Sequence, residues 1–515
     1  MDSEKKTLMG NFSRITRAIS SSGLGLVISF MITLFLVPYI TEMINAEAYG
    51  WVKVAKDAVM YCSMLMLAIQ DFSTRFIGYS YHRKDYDDAN MYYSSVFFGN
   101  TAVGLLLFTA AMIVIMNLDR FFQVSPELLT DVQLLLVFTM LKFLQSTVLA
   151  VFECGPVIAN RMYISGRCKL ASYLLEAALL IFFYHFFSPH VYWVGLAILL
   201  SSLVITIPNY IICSKCTPEL KIRPENFSLK AVRRLVGNGI WASLNTVSNL
   251  LNNGLDILVT NWLLAPLRMG QLAVVQSLSV IYTSIYSMVS PAFQPMILKS
   301  YSQDKHQEMM RWFYLSMKTS SCLCSLLFAG FFALGRTFYQ LWVPDLDTEL
   351  LYRLTVIAMI PAITGGIIAP MYYAYTIKVK KMIPFFFSAA CGLLNVVSML
   401  VLLKTTDLEL YAVTGTTAVF LAFNHLISNA LYICHVLGES KAAFYTRVVR
   451  CLASAVLMTA ALKLSAWLIR PEGWVMLILC GVLCAAVGVI IGVMTVFDSN
   501  ERRGIIGIIR RRMGR

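Results

Sequence analysis

Residues 473–497 read GWVMLILCGVLCAAVGVIIGVMTVF, 25 positions without a charged side chain. A helix rises 1.5 Å per residue and the hydrocarbon of a bilayer is about 30 Å thick, so about 20 such residues cross it. Reading outward from this stretch, similar apolar windows lie near 18–40, 50–70, 91–117, 131–153, 171–187, 192–213, 236–262, 270–293, 313–335, 350–375, 383–403, 411–434 and 451–469. The expected fold class is all-α integral membrane with about fourteen transmembrane helices. Composition points the same way: 58% of the 515 residues are hydrophobic and 14% charged, against about 45–50% and about 25% in soluble domains. The first window, from Gly23 to Ile40, is too long for a signal sequence and lacks a small-residue cleavage site, so it is read as a membrane helix.

The net charge of +14 invites a nucleic-acid reading, which the placement of the charges excludes. Lys and Arg favour cytoplasmic loops. With the N-terminus inside, 31 of the 42 Lys and Arg fall in cytoplasmic segments and 5 in outer loops. One miscounted span would destroy that split. Both chain ends are therefore expected in the cytoplasm, with the basic tail from Gly504 read as a short interfacial helix on anionic lipid.

A polar, basic break at 214–235 separates the first six windows from the next six. The expected organisation is an N-lobe with its basic loop at 1–235, a C-lobe at 236–435, and two further helices with the tail at 436–515. A shift of 220 residues lays Gly50 on Gly270 and Tyr81 on Tyr301, which fits two parallel six-helix repeats.

Charged and polar groups inside spans are the main functional signal, because a charge at the bilayer centre costs about 2.5–3.5 kcal/mol on insertion scales. In the seventh window Asn238, Asn245, Asn249, Asn252 and Asp256 fall within roughly 40° of one helical line at about 100° per residue. Asn also glues membrane helices together, yet five in line fit the wall of a wet cavity. Lys142 lies about eleven residues into its span, too deep to snorkel, facing either a cavity or a buried partner in Glu176 or Glu153. Lys53, Lys56 and Asp57 sit in the outer half of the second span, Lys53 and Asp57 at i,i+4 spacing, and the lysines face either a cavity or, by snorkelling, the outer headgroups. Lys318 reads as a snorkelling residue, and His185 and His425 as structural histidines.

The chain carries no phosphate-binding glycine loop, no His-Glu-x-x-His and no loop long enough for a surface catalytic domain, so an enzyme is not expected. Cys213 and Cys216 form a lone CxxC with no second pair, and neither a metal nor a cofactor is expected.

Asn11-Phe-Ser, Gly23-Leu-Gly, Pro38-Tyr-Ile, Tyr49-Gly50 and Arg75-Phe-Ile, with Asn261-Trp, Met269-Gly270-Gln, Pro291-Ala-Phe-Gln-Pro295 and Lys299-Ser-Tyr301, resemble the polysaccharide (O-antigen-type) flippases, relatives of multidrug-and-toxin-extrusion transporters and lipid II flippases. The resemblance implies a MATE-like fold of two six-helix lobes plus two C-terminal helices. It implies flipping of an undecaprenyl-diphosphate-linked oligosaccharide to the outer leaflet by alternating access. Lys142, Lys53 and Lys56 would meet the diphosphate, while Asn245, Asn249, Asn252 and Asp256 would meet the sugar. Asp256, Glu176 and Asp71 are the candidates for ion coupling. The resemblance further implies a polysaccharide polymerase and glycosyltransferases as partners and a bacterial inner membrane as location. Cation exporters of this superfamily keep an acidic residue in their first helix, and none stands between Ser20 and Tyr39. Drug export and lipid II flipping are the alternatives, with a membrane glycan-processing enzyme behind them.

Overall fold

The computed structural model describes residues 30–378, 382–499 and 501–503, the side chains of residues 71, 238, 241, 242, 253, 281, 283, 285, 286 and 288 excepted. Among the described residues the regular structure is helical throughout. The chain runs α1 Phe30–Met43, α2 Ala46–His82, α3 Tyr86–Met116, α4 Leu129–Ile158, α5 Met162–Phe186, α6 Tyr192–Cys216 and α7 Leu229–Asn253. It continues with α8 Pro266–Ser302, α9 His306–Trp342, α10 Thr348–Ile377, α11 Met382–Thr405, α12 Leu410–Leu437, α13 Lys441–Ile469 and α14 Gly473–Val496. In its described residues each expected window overlaps one of these helices, and that at 236–262 runs past the end of α7 into a separate short helix, Asp256–Leu263. Ten of them are long and apolar enough to cross a bilayer, and α1, α2, α7 and α8 are outside that ten. The described part of α1 is short. The second and seventh windows hold the charges and asparagines noted above, so their low hydropathy and their functional interest have one cause.

The 220-residue echo is a repeat of whole elements. Adding 220 to the bounds of α2, 46 and 82, gives 266 and 302, the bounds of α8. The starts of α3 and α5, at 86 and 162, become 306 and 382, the starts of α9 and α11. Inside α4 the helix tightens to 3-10 at Leu149–Glu153; inside α10 it does so at Ala369–Tyr372. Lys84 and Asp304, 220 apart, both take positive φ (62° and 54°) in the turn after α2 or α8.

By packing the chain divides into two units, Phe35–Ala273 and Val274–Arg515 with Met1–Leu34. In the first, α7 lies close along α2. A Cβ on Gly239 would stand 2.2 Å from Ala68 O, and Ser243 Oγ donates to Met64 O at 2.9 Å. Gly50 and Gly270 themselves touch: a Cβ on Gly270 would lie 2.1 Å from Ala46 O, and one on Gly50 3.1 Å from Gly270 Cα. The basic break is tied down along α3. Asn90 Nδ2 donates to Glu219 O (3.1 Å) and Asn90 Oδ1 accepts from Lys221 N (2.7 Å). Ser94 Oγ accepts from Arg223 N at 3.1 Å and Ser95 Oγ from Ser228 N at 2.9 Å. These side chains satisfy a backbone that has no helix or sheet partner.

In the second unit Phe293, Phe313, Met317, Ile367, Met371, Ile433 and Phe444 form one buried core. Lys318 is not a snorkelling residue. Its side chain is 7% exposed and paired with Asp498 (2.7 Å) and Glu501 (2.8 Å). The chain after α14 brings both carboxylates to it, and Arg450 reaches Asp498 at 3.3 Å. A long side chain that finds counter-charges within reach need not extend to headgroups. The tail from Gly504, read as an interfacial helix, lies outside the described residues.

Candidate functional site

The charged groups within spans of the first unit come from α2, α4, α5 and the end of α7. On α2, Lys53, Asp57 and Tyr61 follow one another at i,i+4 and so share a face. Lys53 Nζ pairs with Asp57, which is buried; Lys53 is half-buried and Lys56 exposed. Tyr61 donates its hydroxyl to Gly254 O, the carbonyl just past the end of α7.

That contact lies where the structure departs from the expected stripe. Asn238 to Asp256 read as one helical line, but α7 stops at Asn253 and Asp256 opens a separate helix, Asp256–Leu263. Gly254 N–H still bonds Leu250 O (2.7 Å), whereas Gly254 O is taken by Tyr61. Asp256 is buried and lies close enough to Tyr61 to act on it electrostatically, as does Asp57. The i+4 step from Asp57 to Tyr61 was legible, but the reading had no reason to place Tyr61 against α7.

Within α7 itself Asn245 and Asn249 are exposed while Asn252 is buried and donates to Ser248 O at 2.7 Å. The open part of the stripe is therefore its middle. Asn238 and Asp71 have side chains outside the described residues. Arg234 belongs to the same line, eleven residues before Asn245, and the sequence reading counted it only as a topology charge. It is exposed, donates to Tyr92 OH at 3.0 Å, and stands 5.3 Å over the Phe76 ring.

Lys142 stands on α4, half-buried. Among the described residues it has no ion pair within 4 Å, and Glu176 on α5, also half-buried, is the carboxylate that acts on it through space. The expected buried pair with Glu176 or Glu153 is thus a longer-range attraction to Glu176, with Glu153 exposed. Gln145, one turn on, is committed elsewhere. It donates to Thr206 Oγ1 (3.2 Å) and accepts from Ser202 Oγ (3.1 Å), both on α6. Those bonds hold α4 against α6 without using the Lys142 ammonium.

Cys213 of the CxxC meets Tyr93 OH at 3.3 Å and Thr217 Oγ1 at 3.5 Å. A Cβ on Gly155 would lie 2.5 Å from Cys213 Cα, so the thiol marks a close helix crossing. Among the described residues no three His, Cys, Asp or Glu side chains could share a metal ion.

Residues 15–301 match the sequence profile of the family described as "Polysaccharide biosynthesis protein". The "Uncharacterized membrane protein EpsK" of Bacillus subtilis (strain 168) is 23% identical over 501 residues, 97% of this chain and 99% of that protein. Among solved structures, a multidrug resistance MATE family transporter of the MOP superfamily in an inward-facing conformation superposes with a TM-score of 0.66 at 13% identity, covering 81% of this chain and 99% of that one. The lipid II flippase MurJ in an inward closed conformation superposes with a TM-score of 0.64 at 14% identity, covering 91% of this chain and 97% of that one. At such identities the likeness is one of fold. It makes the chain a multi-pass membrane protein with a MATE-like architecture.

Proposed function

The chain belongs to the polysaccharide biosynthesis protein family, and from that premise we propose that it flips an undecaprenyl-diphosphate-linked oligosaccharide from the cytoplasmic to the outer leaflet of a bacterial inner membrane. Lys142 carries the reading: a half-buried cation within a span, without an ion pair among the described residues. An unpaired ammonium at that depth is costly unless an anion visits it. A diphosphate crossing low dielectric needs such a charge, since a desolvated anion is equally costly. Lys56, Asn245 and Asn249 are exposed and free to meet the headgroup and sugar hydroxyls, whereas Lys53 arrives already paired with Asp57. The pair lowers the charge available at Lys53 and leaves Lys142 the stronger anion site. Movement is by alternating access, with both chain ends in the cytoplasm and with a polymerase and glycosyltransferases acting on either side of the step.

A cationic drug is the second reading, because the fold is also that of MATE transporters. Lys142 would repel such a substrate. The test is the leaflet location of the lipid-linked glycan, labelled with a membrane-impermeant sugar reagent on intact and on lysed spheroplasts, with and without the protein. Trapping of the glycan inside on loss of the protein supports flipping. Equal labelling in both strains sinks it and directs attention to cation efflux.

A further inference from the structure

Within α12 the helix widens to a π turn over Asn424–Asn429. Such turns are rare and collect at functional positions, because they release carbonyls from the regular ladder. The region 220 residues earlier, 204–209 in α6, is plain α-helix. The side chains differ too: Val204, Ile205 and Leu144 stand where the second repeat has Asn424, His425 and Thr364. A backbone irregularity and a set of polar residues therefore enter the second repeat together, deep in an apolar span.

The geometry is that of a held imidazole. His425 Nδ1 is 3.0 Å from Thr364 Oγ1, and that hydroxyl donates to Pro361 O at 3.1 Å. Assigning the Thr364 proton to that carbonyl, which the ring also approaches, makes Thr364 the acceptor of Nδ1–H and leaves Nε2 as the basic nitrogen. The turn carrying the ring is itself fixed. Asn429 Nδ2 donates to Asn424 Oδ1 (2.9 Å), and Tyr375 OH donates to Asn429 Oδ1 (3.0 Å). Asn424 and Asn429 are buried, and His425 is half-buried. Of the titratable groups on the packed elements, α10 contributes Glu349, Tyr352 and Arg353 near its start and Tyr372, Tyr373 and Tyr375 near its end. The π turn's other neighbours are α11, with Cys391 and, at its last turn, Lys404, and α13, whose Tyr445 OH donates to Leu426 O at 2.7 Å and which also carries Lys441, Arg447, Arg450, Cys451 and Lys463. On α12 itself stand Tyr411, Tyr432, Cys434 and His435. The carboxylate among these, Glu349, is bound to Arg336 (2.6 Å) and Arg353 (2.8 Å).

We propose that His425 is a proton-binding site of the second repeat, loading at Nε2 while Nδ1–H stays on Thr364. A protonated ring with no facing carboxylate of its own is stabilised only by dipoles and by water at its Nε2 edge. Proton occupancy then depends on whether the edge is wet, and by linkage the proton biases whichever conformation wets it. Coupling of that bias to transport rests on the flippase reading; the binding of the proton does not.

The test uses the full chain in lipid nanodiscs with 15N-labelled histidine. The chain has six histidines, so His425→Gln identifies its signal by loss. That signal is expected to report a single protonation at Nε2 within about pH 4–9, the range accessible to histidine. Thr364→Val, close in shape, is expected to release the Nδ1–H tautomer and shift the midpoint. A signal that does not titrate in this range, or one that follows Na+ at fixed pH instead, overturns the proposal. In the leaflet assay, His425→Gln is expected to keep flipping but lose its acceleration by an imposed pH gradient. Retained acceleration overturns the coupling. If the unaltered protein flips nothing, the flippase reading falls while the titration result stands.

Discussion

Helices α4 and α10 are one element built twice. Both run about the same length, both tighten to 3-10 at the corresponding place, and each then resumes for a short final turn. Their chemistry has diverged. Lys142 in α4 stands opposite Ala362 in α10, and Gln145 opposite Gly365. On the helices that precede them, Lys53, Lys56 and Asp57 of α2 correspond to Ala273, Gln276 and Ser277 of α8. In α3 Phe98 packs edge-on to Phe97 and Phe227, while its counterpart in α9 is the ion-paired Lys318. The backbone break is retained with or without the charge, so it belongs to the packing of the repeat. The charge is confined to one repeat.

Five substitutions bear on this contrast. Lys142→Ala makes α4 match α10 at that position. Export of the lipid-linked glycan is expected to fall by roughly tenfold or more, equivalent to about 1.4 kcal/mol or more of binding free energy, while insertion and thermal unfolding change little. Full export would remove Lys142 from the site and make the two helices functionally equal. Next, Gly270→Ala places a Cβ 2.1 Å from the Ala46 carbonyl, and the forced shift is expected to cost about 2–3 kcal/mol in detergent unfolding. Gly50→Ala should cost less, since its nearest obstacle at 2.8 Å is the flexible end of Met269. Equal costs would show that the two glycines share one backbone constraint.

Lys318→Phe installs the first repeat's residue in the second, removes the cation from Glu501 and leaves Asp498 with Arg450 at 3.3 Å. Breaking a wholly buried pair costs about 3–5 kcal/mol; with Asp498 60% exposed, about 1–2 kcal/mol is expected. No loss would mean the aromatic packing of Phe98 is transferable. The smallest effect concerns Asp498, outside the spans. The hydrogen bond from Lys318 foremost, and the charges of Lys318, Arg450 and Arg447, hold its carboxyl below the ordinary value of 3.8. Its contribution is therefore present in full above that value and is lost as pH falls through the lower folded one. The stability gap between the protein and Asp498→Asn should be level near neutrality, below about 1 kcal/mol, and should close in acid. A gap that widens in acid would contradict the pairing.

Much of this was readable in advance for one physical reason. Lipid demands long apolar segments and expels charge, so span positions and the singular Lys142 and Lys53 are one-dimensional features of the chain. The 220-residue period is likewise in the letters, though Gly50 over Gly270 shows only that two positions correspond. That those two glycines touch required the crossing of α2 and α8. The asparagine line was visible as periodicity, but the contact at its end was not, because Tyr61, whose hydroxyl donates to Gly254 O, lies 193 residues away in the chain. Lys318 was misread for a related cause. A lysine near a helix end looks like a snorkelling residue until the chain 180 residues on delivers its counter-charges. Local sequence determined which segments enter the membrane and which side chains are costly there. Tertiary structure alone decided which of those costs are cancelled by a partner, since partners for a charge or a carbonyl are set by contacts between segments that the sequence keeps far apart.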